Sequence, residues 1–180
     1  TMTTCLVPAK DAARLLYRRA YRRIGLLTPI AADCGRLCRS KCCRGGEKDG
    51  MLLFPMEETV LYRADFLRVT DAKMGERAVR FAVCPGRCDR DLRPLSCRLY
   101  PFAPRLSKGR VCMAPDPRAA YRCPLLCRQA QPYLDPAFLS AAAAAVEGLR
   151  RLPGFDGFLH DYGRMLEGYE AFTGISYEEE

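Results

Sequence analysis

Apolar and basic positions recur along residues 9–24 (AKDAARLLYRRAYRRI) with the period of an α-helix. The predicted inner face collects Ala13, Leu16, Ala20 and Ile24, with Tyr17 and Tyr21 beside them. The arginines of this segment lie mostly elsewhere on the helix surface. We therefore predict a helix that packs its apolar face on a core, although such a basic helix could also lie on a membrane surface or on nucleic acid.

The last fifty residues predict a helical hairpin that contains no cysteine. Asp135 precedes Pro136, which is the expected order of a helix N-cap and its first turn, and the helix should run to about residue 152. A Pro-Gly step breaks it at 153–154, and a second helix is predicted for 156–172. We accordingly divide the chain into residues 1–130, a cysteine-cluster metal-binding region with the basic helix, and residues 131–180, a hairpin packed on it.

Between these helical ends the hydrophobic pattern is short and interrupted. Pro55 predicts the start of a helix through residue 66, and residues 66–70 and 76–84 predict two strands around a turn at 71–75. Six prolines between residues 85 and 117 predict an irregular layer with a short strand near 110–113. The expected fold class is α+β: a loop-rich cysteine-cluster domain with few short strands, flanked by an N-terminal helix and a C-terminal helical hairpin.

Eleven cysteines are the unusual feature of the composition. Nine of them are clustered, as Cys34, Cys38, Cys42, Cys43, Cys84, Cys88, Cys97, Cys123 and Cys127, and they include three C-x3-C pairs. Thiols four residues apart on a helical turn share one face, about 6 Å from each other, and can therefore reach a common ion. The two isolated residues have simpler interpretations, a free thiol for Cys5 and a buried hydrophobic side chain for Cys112.

The clustered thiols are therefore predicted metal ligands, rather than packing residues or disulfide partners. Zinc takes four thiolates at about 2.3 Å, so nine would fill two such sites with one over, or one site plus a cluster. His160, the only histidine, is far in sequence from every cluster and is expected to be an ordinary surface or packing residue. A set of ligands made only of thiolates favours zinc or iron, including an iron–sulfur cluster.

The cellular setting is expected to be a reducing one. The first 25 residues lack the apolar stretch and cleavage site of a secretory signal, and the longest run of small apolar residues is too short to cross a bilayer. We therefore expect a cytoplasmic protein without a membrane span. In that compartment, clustered thiols indicate metal or redox chemistry.

The charge is divided unevenly along the chain. Its net value is +8, but residues 1–130 carry 26 basic and 12 acidic side chains, whereas residues 131–180 carry 3 and 9. This asymmetry is typical of proteins with an anionic partner such as nucleic acid. We favour counter-charge together with an arginine-rich codon usage, because two divalent ions held by eight thiolates would add about −4. Arginines lie near the cysteines at Arg36, Arg39, Arg44, Arg87, Arg90, Arg98, Arg122 and Arg128.

Two of the cysteine motifs resemble a known family. The run Cys84-Pro-Gly-Arg-Cys88, continued by Arg93-Pro94-x2-Cys97-Arg98-x-Tyr100-Pro101-Phe102, is similar to the signature of the YkgJ-type cysteine-cluster proteins, described as zinc- or iron-chelating domains. Their first cluster has the form CxxxCxxCC, whereas Cys34–Cys43 reads CxxxCxxxCC, with one additional residue. Residues 50–58 also resemble the segment between the two clusters in that family. The resemblance covers roughly residues 30–104.

The resemblance implies metal binding by the seven cysteines from Cys34 to Cys97, whereas Cys123 and Cys127 rest on spacing alone. Arg93, Arg98 and Tyr100 are expected to support the ligand loop rather than to catalyse a reaction. The predicted function is metal binding at sites that are chiefly structural. Two alternatives stay open: an iron–sulfur redox protein or enzyme related to the flagellin lysine methylases, and a zinc-dependent nucleic-acid-binding protein.

Overall fold

The computed structural model describes residues 9–86 and 88–173 and confirms the α+β class. Its helices are α1 (Ala9–Ile24), α2 (Gly35–Cys38), α3 (Leu95–Leu99), α4 (Pro136–Leu149) and α5 (Phe155–Thr173). Its strands are β1 (Gly50–Leu52), β2 (Arg68–Met74), β3 (Arg77–Val83), β4 (Phe102–Ser107) and β5 (Arg110–Pro115). Short 3₁₀ turns fill much of the chain between them.

The strands form two small antiparallel sheets. The first has the order β1-β3-β2, with Gly50 opposite Val83 on one side of β3 and Thr70 opposite Phe81 on the other. The second is the β4-β5 hairpin, in which Pro104 lies opposite Met113. A proline is tolerated there because the hairpin has only edge strands.

One hydrophobic cluster joins the helices to both sheets. Helix α1 buries Ala13, Ala20 and Ile24, as its periodicity predicts. Tyr17, which was expected beside this face, is fully buried, whereas Leu16 is only partly buried. The ring of Phe54 packs edge-on against Phe155, Phe158 and Tyr162 of α5. Helices α4 and α5 therefore share one core with α1 and with residues of both sheets. The division of the chain at residue 130 stays a prediction.

The predicted hairpin helices are confirmed, with small differences at their ends. The Asp135 side chain accepts a hydrogen bond from the backbone N–H of Ala137 at 2.9 Å, which caps α4 as expected. Helix α4 ends at Leu149, three residues before the predicted end, and the chain reverses through Gly154 at φ +75°. Helix α1 has the predicted bounds.

Three local predictions are wrong. Residues 55–66 form only a 3₁₀ turn at Glu57–Thr59, because Met56 adopts a left-handed φ of +65° and the Glu57 side chain turns into the core. The predicted turn at 71–75 lies largely within β2, and the reversal follows Met74. Strand β4 occupies part of the layer that was predicted to be irregular. The prediction failed there because Pro104 within the strand and Pro101 just before it are typical of loops.

Buried tyrosines predict a stability that falls at alkaline pH. Burial raises the pKa of Tyr162 to about 12 from 10.0, although the charge of Arg118 lowers it in part. Burial, together with the charge of Glu57, raises the pKa of Tyr17 and Tyr21 as well. These phenols ionise at lower pH in the unfolded chain than in the folded protein. Their full contribution to the free energy of unfolding should therefore be present below pH 10. It should fall by about 1.4 kcal/mol per pH unit for each such tyrosine as pH rises toward 12.

The measurement is the phenolate ultraviolet absorbance, recorded with circular dichroism during an alkaline titration. The last tyrosines should ionise together with unfolding. Complete ionisation by about pH 11 with an unchanged fold would contradict the described packing.

Candidate metal centre

The nine clustered cysteines lie on five neighbouring segments and are free thiols. Cys34 is the N-cap residue of α2 and Cys38 is its last residue, and Cys42 and Cys43 end a 3₁₀ turn that begins at Lys41. The others follow β3, lie in α3, or flank the 3₁₀ turn Pro124–Leu126; they are Cys84, Cys88, Cys97, Cys123 and Cys127. Cys5 lies outside the described residues.

Two glycines bring the first cysteine motif against the second. A Cβ atom built at Gly45 would overlap the backbone of Pro85 and Gly86, and one built at Gly86 would overlap the carbonyl of Arg44. Both glycines also have positive φ angles, +71° and +89°, which other residues rarely adopt. The Gly46 N–H donates to the Cys84 carbonyl at 3.3 Å. These contacts fix the segment from Cys43 to Gly46 against the turn that follows Cys84.

Replacing Gly86 with alanine should therefore displace Cys43 from Cys84 and weaken metal binding. The new Cβ would collide with backbone, which cannot rotate away as a side chain can. Gly75→Ala is the matched control, because Gly75 has a positive φ of +58° but no atom within 4 Å of the added Cβ. Left-handed strain should cost each variant roughly 1 kcal/mol of stability. Beyond this shared cost, chelator competition should show a metal affinity at least about tenfold lower for Gly86→Ala than for Gly75→Ala. Equal metal affinities in the two variants would contradict the role of this contact.

A first thiol set consists of Cys43, Cys84, Cys88 and Cys97. Burial raises the pKa of Cys84, and the charges of Cys88 and Cys43 raise it further. For Cys97, burial is again the main cause of a raised pKa, followed by the charge of Cys43, with a smaller effect from Cys88. These effects indicate that Cys43 and Cys88 lie within electrostatic reach of both Cys84 and Cys97.

Arg93 lies against this first thiol set. Its Nε–H donates to the Cys88 sulfur at 3.3 Å. Burial lowers the pKa of Arg93, but the hydrogen bond and the charges of Cys88, Cys43 and Cys97 outweigh it, so the net change is upward. The guanidinium is thus placed to balance negative charge on the sulfurs.

A second thiol set consists of Cys34, Cys38, Cys42 and Cys123. Burial raises the pKa of Cys123, and the charges of Cys34, Cys38 and Cys127 add to that effect. Cys38, Cys123 and Cys127 also line one open cavity. Cys127 is the ninth thiol; its S–H donates to the Pro124 carbonyl at 2.8 Å.

The two sets meet at the adjacent pair Cys42 and Cys43, whose sulfurs are 3.7 Å apart. Their hydrogen bond is the main cause of the lowered pKa of Cys43, about 6, which the charge of Arg93 also favours. The same bond raises the pKa of Cys42, as do burial and the charges of Cys43, Cys38 and Cys34. This contact brings one thiol of each set side by side.

The clustered thiols are near one another without being in coordination geometry. Among residues 9–86 and 88–173, no three Cys, His, Asp or Glu side chains are positioned to hold an ion together. Helix α2 and the turn at Lys41–Cys43 contain no buried residue, so core packing does not fix the segments that carry four of the thiols. Thiolates are suitable ligands for zinc or iron. Four of these sulfurs can surround one ion only after the surface segments and their side chains move closer to one another.

The residues predicted to support the ligand loop have distinct contacts. Arg98 donates through Nε to the Arg93 carbonyl at 2.9 Å and stacks over the ring of Tyr21 at 4.5 Å. Burial raises the pKa of Tyr100, with added effects from the charges of Cys123, Asp116 and Cys42, which indicates that the phenol lies near the second thiol set.

Glu57 is a residue that the sequence did not reveal as part of this region. It is completely buried, and its Oε1 accepts hydrogen bonds from the Tyr21 hydroxyl at 2.6 Å and from the Leu95 N–H at 2.5 Å. Its Oε2 accepts from the Phe54 N–H at 3.0 Å. Because Leu95 begins α3, Glu57 fixes the helix that carries Cys97. Its position in residues 50–58 was the only signal in the sequence.

Two other sequence predictions can be compared with the structure. Cys112 lies on β5 and is only partly buried, with its sulfur 3.6 Å from the Arg105 carbonyl, so the prediction of a buried side chain is wrong. Its neighbour Val111 is buried, and because side chains alternate between the two faces of a strand, Cys112 lies on the opposite, less covered face. His160 is exposed on α5, in agreement with its interpretation as a surface residue.

Comparisons with known proteins identify no relative. No family model matches the chain, and neither the curated proteins nor the solved structures give a match. Across the described part of the chain, no helix combines the length and the apolar character that a bilayer crossing requires.

Proposed function

We propose that this chain is a metal-binding protein whose clustered thiolates hold two ions in sites that are chiefly structural. The first ion would be held by Cys43, Cys84, Cys88 and Cys97, and the second by Cys34, Cys38, Cys42 and Cys123, with Cys127 beside it. The observation that carries the proposal is that nine free thiols from five separate segments each lie near enough to another thiol to affect its charge, with the sulfurs of Cys42 and Cys43 3.7 Å apart.

The charges around these thiols support their role as metal ligands rather than as inert side chains. Arg93 contacts the Cys88 sulfur, and none of the eight ion pairs of the described residues uses a basic residue from the cysteine segments 34–44, 84–98 or 122–128. Unpaired arginines beside neutral thiols would repel one another. Two sites of four thiolates around divalent ions would supply about −4 in the same region.

A structural role follows from where the core lies. The buried cluster is built mainly from α1, α4, α5 and the two sheets, whereas α2 and the turn at Lys41–Cys43 bury nothing. Metal binding supplies such segments with free energy that apolar burial does not, roughly 10–16 kcal/mol for structural zinc sites.

Single cysteine substitutions test the assignment to two sites. Elemental analysis of anaerobically purified protein should give about two ions per chain for the wild type, and about one for Cys97→Ser and for Cys123→Ser. Combining the two changes should leave almost none. Cys112→Ser is the control, because this residue belongs to neither thiol set, and it should keep both ions.

Other metal contents would be equally informative. A brown protein with iron and acid-labile sulfide would replace the proposal by the iron–sulfur alternative. An unchanged metal content in both Cys97→Ser and Cys123→Ser would contradict the two thiol sets. A wild-type protein that is free of metal after anaerobic purification would contradict the proposed function itself.

A further inference from the structure

A cavity of about 360 Å³ lies beside the place where the two thiol sets meet. Its lining includes Cys34, Cys42, Cys43 and Cys97. Apolar side chains form another part of the lining, including Ile24, Leu27, Met51 and Phe81. The volume falls in the range of small-molecule sites, about 300–1,000 Å³.

The same cavity is rich in cations that lack carboxylate partners. Six line it without forming an ion pair among the described residues: Lys41, Arg44, Arg90, Arg93, Arg98 and Arg122. Asp49 is the only carboxylate in its described lining. Even with about −4 from two occupied four-thiolate sites, the cavity therefore keeps a net positive charge.

Two of these guanidinium groups are held in place from one side. Arg93 is fixed through Nε on the Cys88 sulfur, and Arg98 is fixed by the carbonyls of Arg93 and Asp91, at 2.9 and 2.8 Å, and by stacking on Tyr21. These contacts leave N–H groups of both arginines for another acceptor. Guanidinium groups that are positioned in advance bind carboxylate and phosphate groups with two parallel hydrogen bonds at little entropic cost.

We propose that this cavity binds a small amphipathic oxyanion, with its phosphate or carboxylate group on the arginines and its apolar part against Ile24, Leu27 and Phe81. The inference rests on the proposed function, because the charge balance is that of the protein with both metal sites filled. A ligand bound in this cavity lies next to both thiol sets.

Phenyl phosphate is a suitable probe, with benzoate as the carboxylate, benzyl alcohol as the neutral analogue and inorganic phosphate as the anion without an apolar part. Calorimetric titration of the full chain, purified anaerobically, should show binding of phenyl phosphate or benzoate and none of benzyl alcohol. The variants Arg90→Ala and Arg122→Ala each remove an exposed cation of the cavity. Each should weaken the affinity by about tenfold, because each removes a positive charge that can make a charge-assisted hydrogen bond to the anion. Arg63→Ala is the control, because Arg63 is exposed and does not line the cavity.

Metal content measured on the same samples separates the two proposals. Protein with two ions per chain that binds neither anion, or that binds benzyl alcohol equally well, would overturn the inference alone. Binding that Arg90→Ala and Arg122→Ala leave unchanged would also overturn it. Metal-free protein with arginine-dependent binding would contradict the proposed function and leave the ligand class of the cavity standing.

Discussion

Removing the metal from this protein should release the cysteine segments from the fold while the helical core remains. Residues 31–50 and 121–133 should lose protection against amide hydrogen exchange by at least about 100-fold, because structural metal sites contribute far more than the roughly 2.7 kcal/mol that this factor represents. The local hydrogen bonds at stake include Ser40 N–H to Gly35, Cys43 N–H to Ser40 and Gly46 N–H to Cys84. Few apolar contacts would replace them.

The hairpin β4-β5 and the helices α4 and α5 are the internal controls for this experiment. Their amides lie in regular ladders and helices that contribute to the common core, so their exchange should change little after chelation. The measurement is hydrogen exchange with mass spectrometry, before and after metal removal verified by elemental analysis. Unchanged exchange in residues 31–50 after complete removal would show that these segments do not depend on metal.

Replacing Glu57 with alanine should destabilise the protein by about 3–5 kcal/mol, because two backbone N–H groups, of Phe54 and Leu95, would lose their acceptor inside the core. The change should also lower the metal affinity of the first thiol set, since Leu95 begins the helix that carries Cys97. Glu58→Ala is the matched control, because this neighbouring carboxylate is not buried. Chemical denaturation with metal analysis measures both effects, and similar losses in the two variants would contradict the role assigned to Glu57.

The pH dependence of a conservative variant gives a second measure of this residue. Burial raises the pKa of Glu57 above 4.5, although its hydrogen bonds lower it in part. The protonated form is therefore favoured by folding, and the stability that it contributes is lost as pH rises through the raised value. Glu57→Gln does not titrate, so its stability deficit relative to the wild type should shrink as pH rises across that range. Taking the difference at each pH removes the titrations that the two proteins share.

The regular parts of this fold could be predicted because their signals are local. The 3.6-residue period of residues 9–24 determines which face of α1 is buried, and the Asp135-Pro136 step determines where α4 begins. Residues 55–66 show the limit of such reasoning. Their composition suits a helix, but the burial of Glu57 between α1 and α3 is a tertiary effect that no short segment records.

The candidate site shows the same division between local and long-range information. The spacing of the cysteines identified the nine candidate ligands, but it could not assign them to two sets. That assignment depends on the close backbone approach of Gly45 and Gly86, which places Cys43 near Cys84, and on the position of Cys123 beside Cys34 and Cys38. The cavity with its unpaired arginines is likewise built from segments distant in sequence, so only the folded chain reveals it.

X-ray absorption at the metal edge of the anaerobically purified full chain tests the central claim most directly. The account predicts about two ions per chain, each with four sulfur neighbours at about 2.3 Å. Oxygen or nitrogen neighbours in place of sulfur, or cysteines joined in disulfides with no ion bound, would contradict it.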